Sequence, residues 1–338
     1  MHAALMLRFA RVFRYAALTA ALAITICALT PLLTPAAQAQ PYPNKPIRLV
    51  VPYSAGTTTD VLGRLYAQKL GEALGQTIVV ENKAGAGGNI AGEAVARAAP
   101  DGYTITLSNS AVHATNPSLY SKLPFDPIKD FSHITLLATA PNMLAIHPSI
   151  PAKNMVELIA YAKANPGKLT YISAGSGTSP HMAGALLKSM AGIDIVHVPY
   201  KNISQGFTDL FGGVVSMTFY HVPVIYPHVK DGKLRALGVA TPTRSAIAPE
   251  VPPIAETLPG FDIRPWWGVS GPAGLPAEVV EKLYNATAAI LKDADTQKRF
   301  ASMGLEITQM TVKEFNDFTA TELVKWTRIV KDSGAKAD

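Results

Sequence analysis

Two spacings of apolar residues alternate along this chain. Short β-branched or aliphatic runs occupy 47–51, 77–80, 103–107, 143–146, 169–173, 195–198, 214–219, 234–240 and 266–270. Between most of them apolar residues recur every three or four positions, as Leu62, Leu65, Tyr66, Leu70, Ala73 and Leu74 do. The first pattern has the length and composition of strands, and the second makes one face of a helix. Helices are predicted over 90–98, 154–164, 180–190, 204–211, 223–229 and 276–300. A further helix opens at Thr311, where Glu314 three residues on completes a capping box. Alternation of strand and helix at this spacing builds βαβ units, and so predicts an α/β fold with mainly parallel sheets.

The pattern restarts past the middle of the chain, which divides it into two lobes. The first takes residues 40–138 together with 262–338, and the second takes 139–261. The chain then crosses between lobes near 139–142 and again in a stretch rich in proline (Pro242, Pro249, Pro252, Pro253, Pro259). Two crossings make a hinge beside a cleft. Ligands of open α/β sheets sit at the carboxyl ends of strands, so the loops after each strand should face that cleft.

The first 39 residues follow a different logic. Arg8, Arg11 and Arg14 precede an apolar run over 16–33, and Ala37-Gln38-Ala39 follows. Basic segment, apolar segment and small-x-small site are the parts of a secretory signal peptide, so the mature chain is expected to begin at Gln40. Its removal takes three arginines and no acid, so a formal charge of +6 falls to +3. The single cysteine, Cys27, leaves with it, and disulfides, thiolate metal sites and cysteine catalysis are excluded together. With 48% hydrophobic residues among 338, intrinsic disorder is excluded as well.

Two loops carry the chemistry. Tyr53-Ser54-Ala55-Gly56-Thr57-Thr58-Thr59-Asp60 joins the first strand to the first helix. Unpaired N–H groups at a helix start attract an anion, and three threonine hydroxyls add donors. The competing reading is that the threonines and Asp60 cap the helix. The second loop, residues 173–181 with Ser176, Thr178 and His181, repeats the device, with Pro180 near the first helical position. Two such loops across one cleft would hold a carboxylate from both sides. A hydrolase using Ser176 or Ser179 with His181 as base is the alternative, but the G-x-S-x-G elbow is absent.

Other chemistries find less support. Gly85-Ala86-Gly87-Gly88 follows the second strand and fails the G-x-G-x-x-G spacing. The third strand ends Ser108-Asn109, without the acid a dinucleotide ribose needs, which leaves Asn109 as a neutral ligand-binding candidate. The eight histidines form no metal motif, so neither a metal nor a cofactor is expected. Basic residues are scattered, which disfavours nucleic acid. Trp266 and Trp267, with Tyr53, Phe219 and Tyr220, could line a pocket, though such aromatics are more often core.

The motifs taken together resemble the substrate-binding proteins of tripartite tricarboxylate transporters, the Bug family of periplasmic receptors. The matching stretches are Tyr42 to Arg48, Pro52 with Ala55-Gly56 and Asp60, Val80-Glu81-Asn82-Lys83, Pro100-Asp101-Gly102-Tyr103, the loop before His181, Val198-Pro199-Tyr200-Lys201, residues 232–237 and Val251 to Glu256. The resemblance covers nearly the whole mature chain. It implies a two-lobe, flytrap-like periplasmic-binding-protein architecture without catalysis. The implied ligand is a small organic carboxylate, held by Tyr53, Ser54, Ala55, Thr57, Thr58, Thr59 and Asp60 of the first loop. Asn109, Ser176, Thr178, His181, Tyr200 and Tyr220 complete the implied contacts. The resemblance also implies a monomeric receptor in the periplasm of a Gram-negative bacterium, handing its ligand to the subunits of a membrane permease. Three departures stand out: Thr57-Thr58-Thr59 where the family often has Gly or Ser, Asn202 where it has Gly, and Phe219-Tyr220-His221 where it has Phe-Asp-Asn. The missing Asp is the group that would pair with the ammonium of an amino acid, so the expected carboxylate lacks an α-amino group.

Overall fold

The computed structural model describes residues 41–337, so the predicted signal peptide and Cys27 lie outside the described residues. Eleven strands form two sheets. The first holds β1 (Ile47–Val51), β2 (Ile78–Asn82), β3 (Thr104–Asn109), β4 (Phe131–Thr139), β10 (Trp266–Pro272) and β11 (Glu306–Ile307), in the order β11-β4-β10-β3-β1-β2. The second holds β5 (Asn142–Ile146), β6 (Leu169–Ser173), β7 (Ile195–Pro199), β8 (Met217–His221) and β9 (Arg235–Val239), in the order β7-β6-β8-β5-β9. Both belong to one compact unit that begins at Pro43.

The sheets are mixed, which corrects the expectation of mainly parallel pairing. β1 pairs parallel with β2 and β3, but β10 runs antiparallel to β3 and β4, and β11 antiparallel to β4. In the second sheet β6 pairs parallel with β7 and β8, while β5 is antiparallel to β8 and β9. The reason is the crossing of the chain. β4 leaves the first sheet at Thr139, β5 starts in the second at Asn142, and β10 returns after Val239. A strand that enters a sheet from the neighbouring one comes in at the end where the βαβ strands finish, so it runs against them.

That reversal builds the site. The amino end of β10 pairs Trp267 with Asn109 at the carboxyl end of β3, and the amino end of β5 pairs Asn142 with His221 at the carboxyl end of β8. Strand ends and strand starts therefore meet at one edge of each sheet.

Helices α1 (Thr58–Leu74) and α2 (Asn89–Ala96) follow β1 and β2. After β3, Ala111–Thr115 winds as a π-helical turn into α3 (Asn116–Leu119). The second sheet carries α4 (Met155–Ala164), α5 (Ser179–Ala191), α6 (Ile203–Phe211) and α7 (Val222–Lys230). The helix expected over 276–300 breaks into α8 (Ala277–Lys292) and α9 (Ala294–Ser302). Asp293 takes extended backbone between them, and its carboxylate accepts from Thr296 N at 2.9 Å, so α9 gains its own cap.

The last helix, α10 (Val312–Ser333), starts on the predicted Thr311–Glu314 capping box. Its apolar face packs with both sheets: Phe315, Trp326 and Val330 share one buried cluster with Leu136 and Trp266, and with Leu144, Met182, Leu187 and Phe219. Ser118 Oγ bonds Thr327 Oγ1 at 2.7 Å, and Ser189 Oγ donates to Asp332 O at 2.5 Å.

Candidate functional site

A cavity lies where the two sets of strand ends meet. From the first-sheet side it is lined by Tyr53, Thr57, Thr58, Thr59, Asn109, Ser110 and Ala111, and by Pro265, Trp266 and Trp267 at the start of β10. From the second-sheet side come Ala174, Thr178, Ser179, Pro180, Tyr220 and His221.

The three consecutive threonines point three ways. Thr57 is the N-cap of α1: its Oγ1 accepts from Asp60 N at 3.3 Å and donates to Ser54 O at 3.0 Å. Thr59 Oγ1 accepts the indole N–H of Trp267 at 2.8 Å, which fixes that ring against the helix. Thr58 Oγ1 lies 2.9 Å from His221 Nδ1 and so joins the two sheets across the cavity. Capping and ligand-facing roles are thus divided among neighbours rather than exclusive.

Asn109 organises the third wall. Its Oδ1 accepts from Ala111 N at 2.9 Å and Val112 N at 3.1 Å, capping the π-helical turn, and takes Tyr53 OH at 3.4 Å. Its amide nitrogen is buried and has no hydrogen-bond partner. An amide N–H without a partner in a cavity wall is a ready donor for a ligand oxygen.

On the opposite side, α5 begins at the cavity. Its N-cap, Thr178, makes no side-chain cap, because its hydroxyl donates back to Gly175 O at 2.6 Å. The first-turn N–H groups of this 13-residue helix therefore keep their positive end toward the cavity. Among the lining residues there is no Lys, Arg, Asp or Glu. Burial pushes Tyr220 up to about 12 and raises Tyr53 further, while it pushes His221 down to about 4. At neutral pH the lining is uncharged and rich in donors.

Seven residues expected from the sequence line the cavity: Tyr53, Thr57, Thr58, Thr59, Asn109, Thr178 and Tyr220. Six others are not among the lining. Asp60 is held by Gly56 N at 2.9 Å, Arg64 Nε at 3.1 Å and Asn82 Nδ2 at 2.9 Å. Burial alone would raise its pKa, but these bonds outweigh it and keep the carboxyl below its usual range. Ser54 turns its carbonyl to Thr57, and Ala55 is exposed. The carbonyl of Ser176 faces Gly87 of the other side. His181 Nδ1 accepts from Gly177 N at 3.1 Å while its ring stacks on His197 at 4.2 Å. Tyr200 OH donates to Asp209 at 2.6 Å.

Sequence reasoning did not count Ser110, Ala111, Ala174, Pro265 and His221 among the ligand-facing residues, and weighed Ser179 only as a nucleophile and Pro180 only as a helix start. His221 ends β8, with Trp267 edge-on at 5.3 Å. Trp266 and Trp267 form the cavity wall, whereas Phe219 is core and stacks on Phe261 at 6.0 Å. The family departure Phe219-Tyr220-His221 was the available signal.

With this geometry in hand, similarity to known proteins can be placed. The profile of a family described as the tripartite tricarboxylate transporter family receptor (TctC) matches residues 62–335. Protein BugT of Bordetella pertussis is 33% identical over 300 residues, covering 88% of this chain and 92% of that protein. A protein encoded in the tcbD-tcbE intergenic region of Pseudomonas sp. strain P51 is 35% identical over 305 residues, or 90% of each chain. Among solved structures, R. palustris Rpa4515 with adipate superposes with a TM-score of 0.83 at 33% identity, covering 88% of this chain and 100% of that one. The periplasmic binding protein BugD gives 0.81 at 32%, with 88% and 100% covered. MatC of Rhodopseudomonas palustris with bound malate gives 0.80 at 29%, with 86% and 100% covered. These relatives are binding proteins rather than enzymes, which sets aside the serine-hydrolase alternative.

Proposed function

The chain belongs to the tripartite tricarboxylate transporter receptor family, the Bug proteins, and is a periplasmic solute-binding receptor; we propose that its ligand is a small organic carboxylate without an α-amino group. The lobes would be residues 40–138 with 262–338 and residues 139–261, closing on the ligand as a flytrap does. The ligand would then pass to the subunits of a tripartite tricarboxylate-type permease, with the receptor acting as an exported monomer after loss of residues 1–39.

One observation carries the reading. The cavity faces two helix N-termini and offers neutral donors, yet its lining contains no acidic side chain. Donors and helix ends favour an anion. An ammonium brought into the same wall would lose water and meet no opposite charge. Similar proteins carry adipate and malate, which both fit this description.

Isothermal calorimetry tests the proposal. Adipate, malate, succinate, citrate and terephthalate should include at least one binder in the micromolar range, about −8 kcal/mol. Binding of aspartate or glutamate in that range, with none from the other acids, would overturn it.

A further inference from the structure

Resting on the carboxylate reading above, we propose that His221 is the cationic partner of the bound carboxylate, and that ligand capture by this protein takes up a proton. A buried anion needs either an opposite charge or a dense set of donors. The lining holds no Lys or Arg, and five of its side-chain donors are already spent: Trp267 Nε1 on Thr59, Trp266 Nε1 on Glu322, Thr178 Oγ1 on Gly175 O, Thr57 Oγ1 on Ser54 O and Tyr53 OH on Asn109. His221 is the one lining residue that can become a cation near neutral pH.

Its position suits the role. The ring is buried at the end of β8, with Trp267 edge-on at 5.3 Å and Tyr220 tilted against it at 4.8 Å, so packing fixes its plane. Nδ1 sits 2.9 Å from Thr58 Oγ1. The Thr58 hydroxyl also bonds Tyr220, so with its hydrogen directed there the neutral ring donates Nδ1–H to Thr58 Oγ1 and keeps Nε2 as an acceptor. A proton added to the ring leaves that bond in place and makes Nε2–H a donor for a ligand oxygen. One proton thus supplies both a charge and a donor.

The groups around His221 do not forestall this. Tyr220 on its own strand and Tyr53 across the cavity are both pushed up by burial and stay protonated. On α1, the Asp60 carboxylate is paired with Arg64. On β5, the register partner of His221 is the neutral Asn142. His228 and Lys230 stand in the last turn of α7, at its far end from His221. Burial is the sole cause holding the ring near 4, so no acidic group already fills the place of the ligand. A carboxylate within about 4–6 Å favours the charged ring.

The sign follows by linkage. A ring neutral before binding and protonated after it makes binding tighter as pH falls. Adipate and malate are the probes, titrated by calorimetry in phosphate and in bis-Tris, whose ionisation heats differ. A neighbouring carboxylate raises a ring held near 4 by about 1–3 pH units, so uptake should be a large fraction of one proton per ligand near pH 6 and fade by about pH 8, with the dissociation constant rising up to about tenfold per pH unit below about pH 7. His221→Gln should bind with no uptake and a flat pH profile. Nitrogen NMR of the imidazoles reads the ring directly in wild-type protein if the His221 variant fails to fold; there the His221 resonance should become imidazolium on ligand addition. Binding without uptake in wild type, a resonance that stays neutral, or uptake that survives in His221→Gln would overturn the role of His221 and leave the receptor reading intact. Failure of every acid in the panel to bind would overturn the receptor reading and this role together.

Discussion

The carboxylate of Glu322, on the last helix, accepts a 3.0 Å hydrogen bond from the indole of Trp266, whose ring forms part of the cavity wall. The same oxygen takes the indole N–H of Trp326 at 2.8 Å, and the other oxygen lies 3.5 Å from Lys325. One buried acid thus ties the C-terminal helix to the binding cavity. The Trp266 ring is also edge-on to Phe315 and Phe318 at 5.8 and 5.5 Å, so the tie is apolar as well as polar.

Removing that acid should therefore destabilise the protein and loosen the wall. Glu322→Ala leaves two buried indole N–H groups without an acceptor, at about 1–3 kcal/mol for each. Glu322→Gln keeps an acceptor oxygen and should cost about half as much or less. Urea unfolding followed by tryptophan fluorescence reads both variants. Equal losses in the two would show that the carboxylate matters only as bulk.

Close approach of the two sides depends on glycine. A Cβ at Gly177, after β6, would run into Asn116 Oδ1 of α3, and a Cβ at Gly87 would come within 2.6 Å of Ser176 O. Gly177 also has φ +84°, where an L-residue costs about 1–2 kcal/mol. Gly175 has φ +117° with nothing within 4 Å of its would-be Cβ, so it isolates backbone strain from the clash. Gly177→Ala should enlarge the radius of gyration and weaken ligand binding by tenfold or more, whereas Gly175→Ala should change stability alone. Small-angle scattering of both decides between them.

Acid should destabilise the fold through two core histidines. His113 and His133 meet edge-on at 5.1 Å inside a shell of Phe131, Phe315 and Trp266. Burial lowers His113 from 6.5 to about 4, and burial followed by the neighbouring ring lowers His133 to about 3. Both are depressed bases, so below pH 6.5 the unfolded chain binds protons that the folded one refuses. Stability is full above that value and falls toward pH 4, by about 1.4 kcal/mol per pH unit for each ring. Thermal midpoints measured across this range should show the decline, and His133→Leu should flatten it by about one proton even though Ser270 loses its 2.9 Å partner. A midpoint constant from pH 7 to 4 would contradict the assignment.

How much of this could be read beforehand varied with how local the cause was. Strands such as Ile47–Val51 and Leu169–Ser173 are apolar runs between turn residues, and capping set the start of the last helix, so both were legible. The strand Phe131–Thr139 was not, since Ser132 and His133 interrupt its run and its burial comes from β10 and α10 packing on it. Strand direction was misjudged for the same reason: it follows from crossings between sheets, not from neighbouring residues. In the site, Tyr53, Thr58 and Asn109 could be found because they end a strand or open a helix. Asp60, Tyr200 and His181 share those addresses, but Arg64, Asp209 and Gly177 hold them elsewhere. His221 and Trp267 become cavity residues only when two distant strand ends meet.

Selectivity against amino acids should reside in the neutral wall around Tyr220. Tyr220 lines the cavity while packing edge-on against Phe207 at 4.9 Å, so both its position and its ring plane are fixed. Its hydroxyl is held protonated by burial, which removes the only anion this position could offer. An ammonium entering beside it would stay buried and unpaired, at a cost of several kcal/mol. Sites that leave such a group unmatched reject it by large factors. Aspartate should therefore bind at least about a hundredfold more weakly than succinate, which presents the same two carboxylates without the amine. Tyr220→Phe keeps the ring and should keep this rejection, because the missing carboxylate and not the hydroxyl excludes the ammonium. Calorimetry with the matched pair on both proteins gives the ratio directly, and equal affinities for the two acids in wild-type protein would show that another group answers the ammonium.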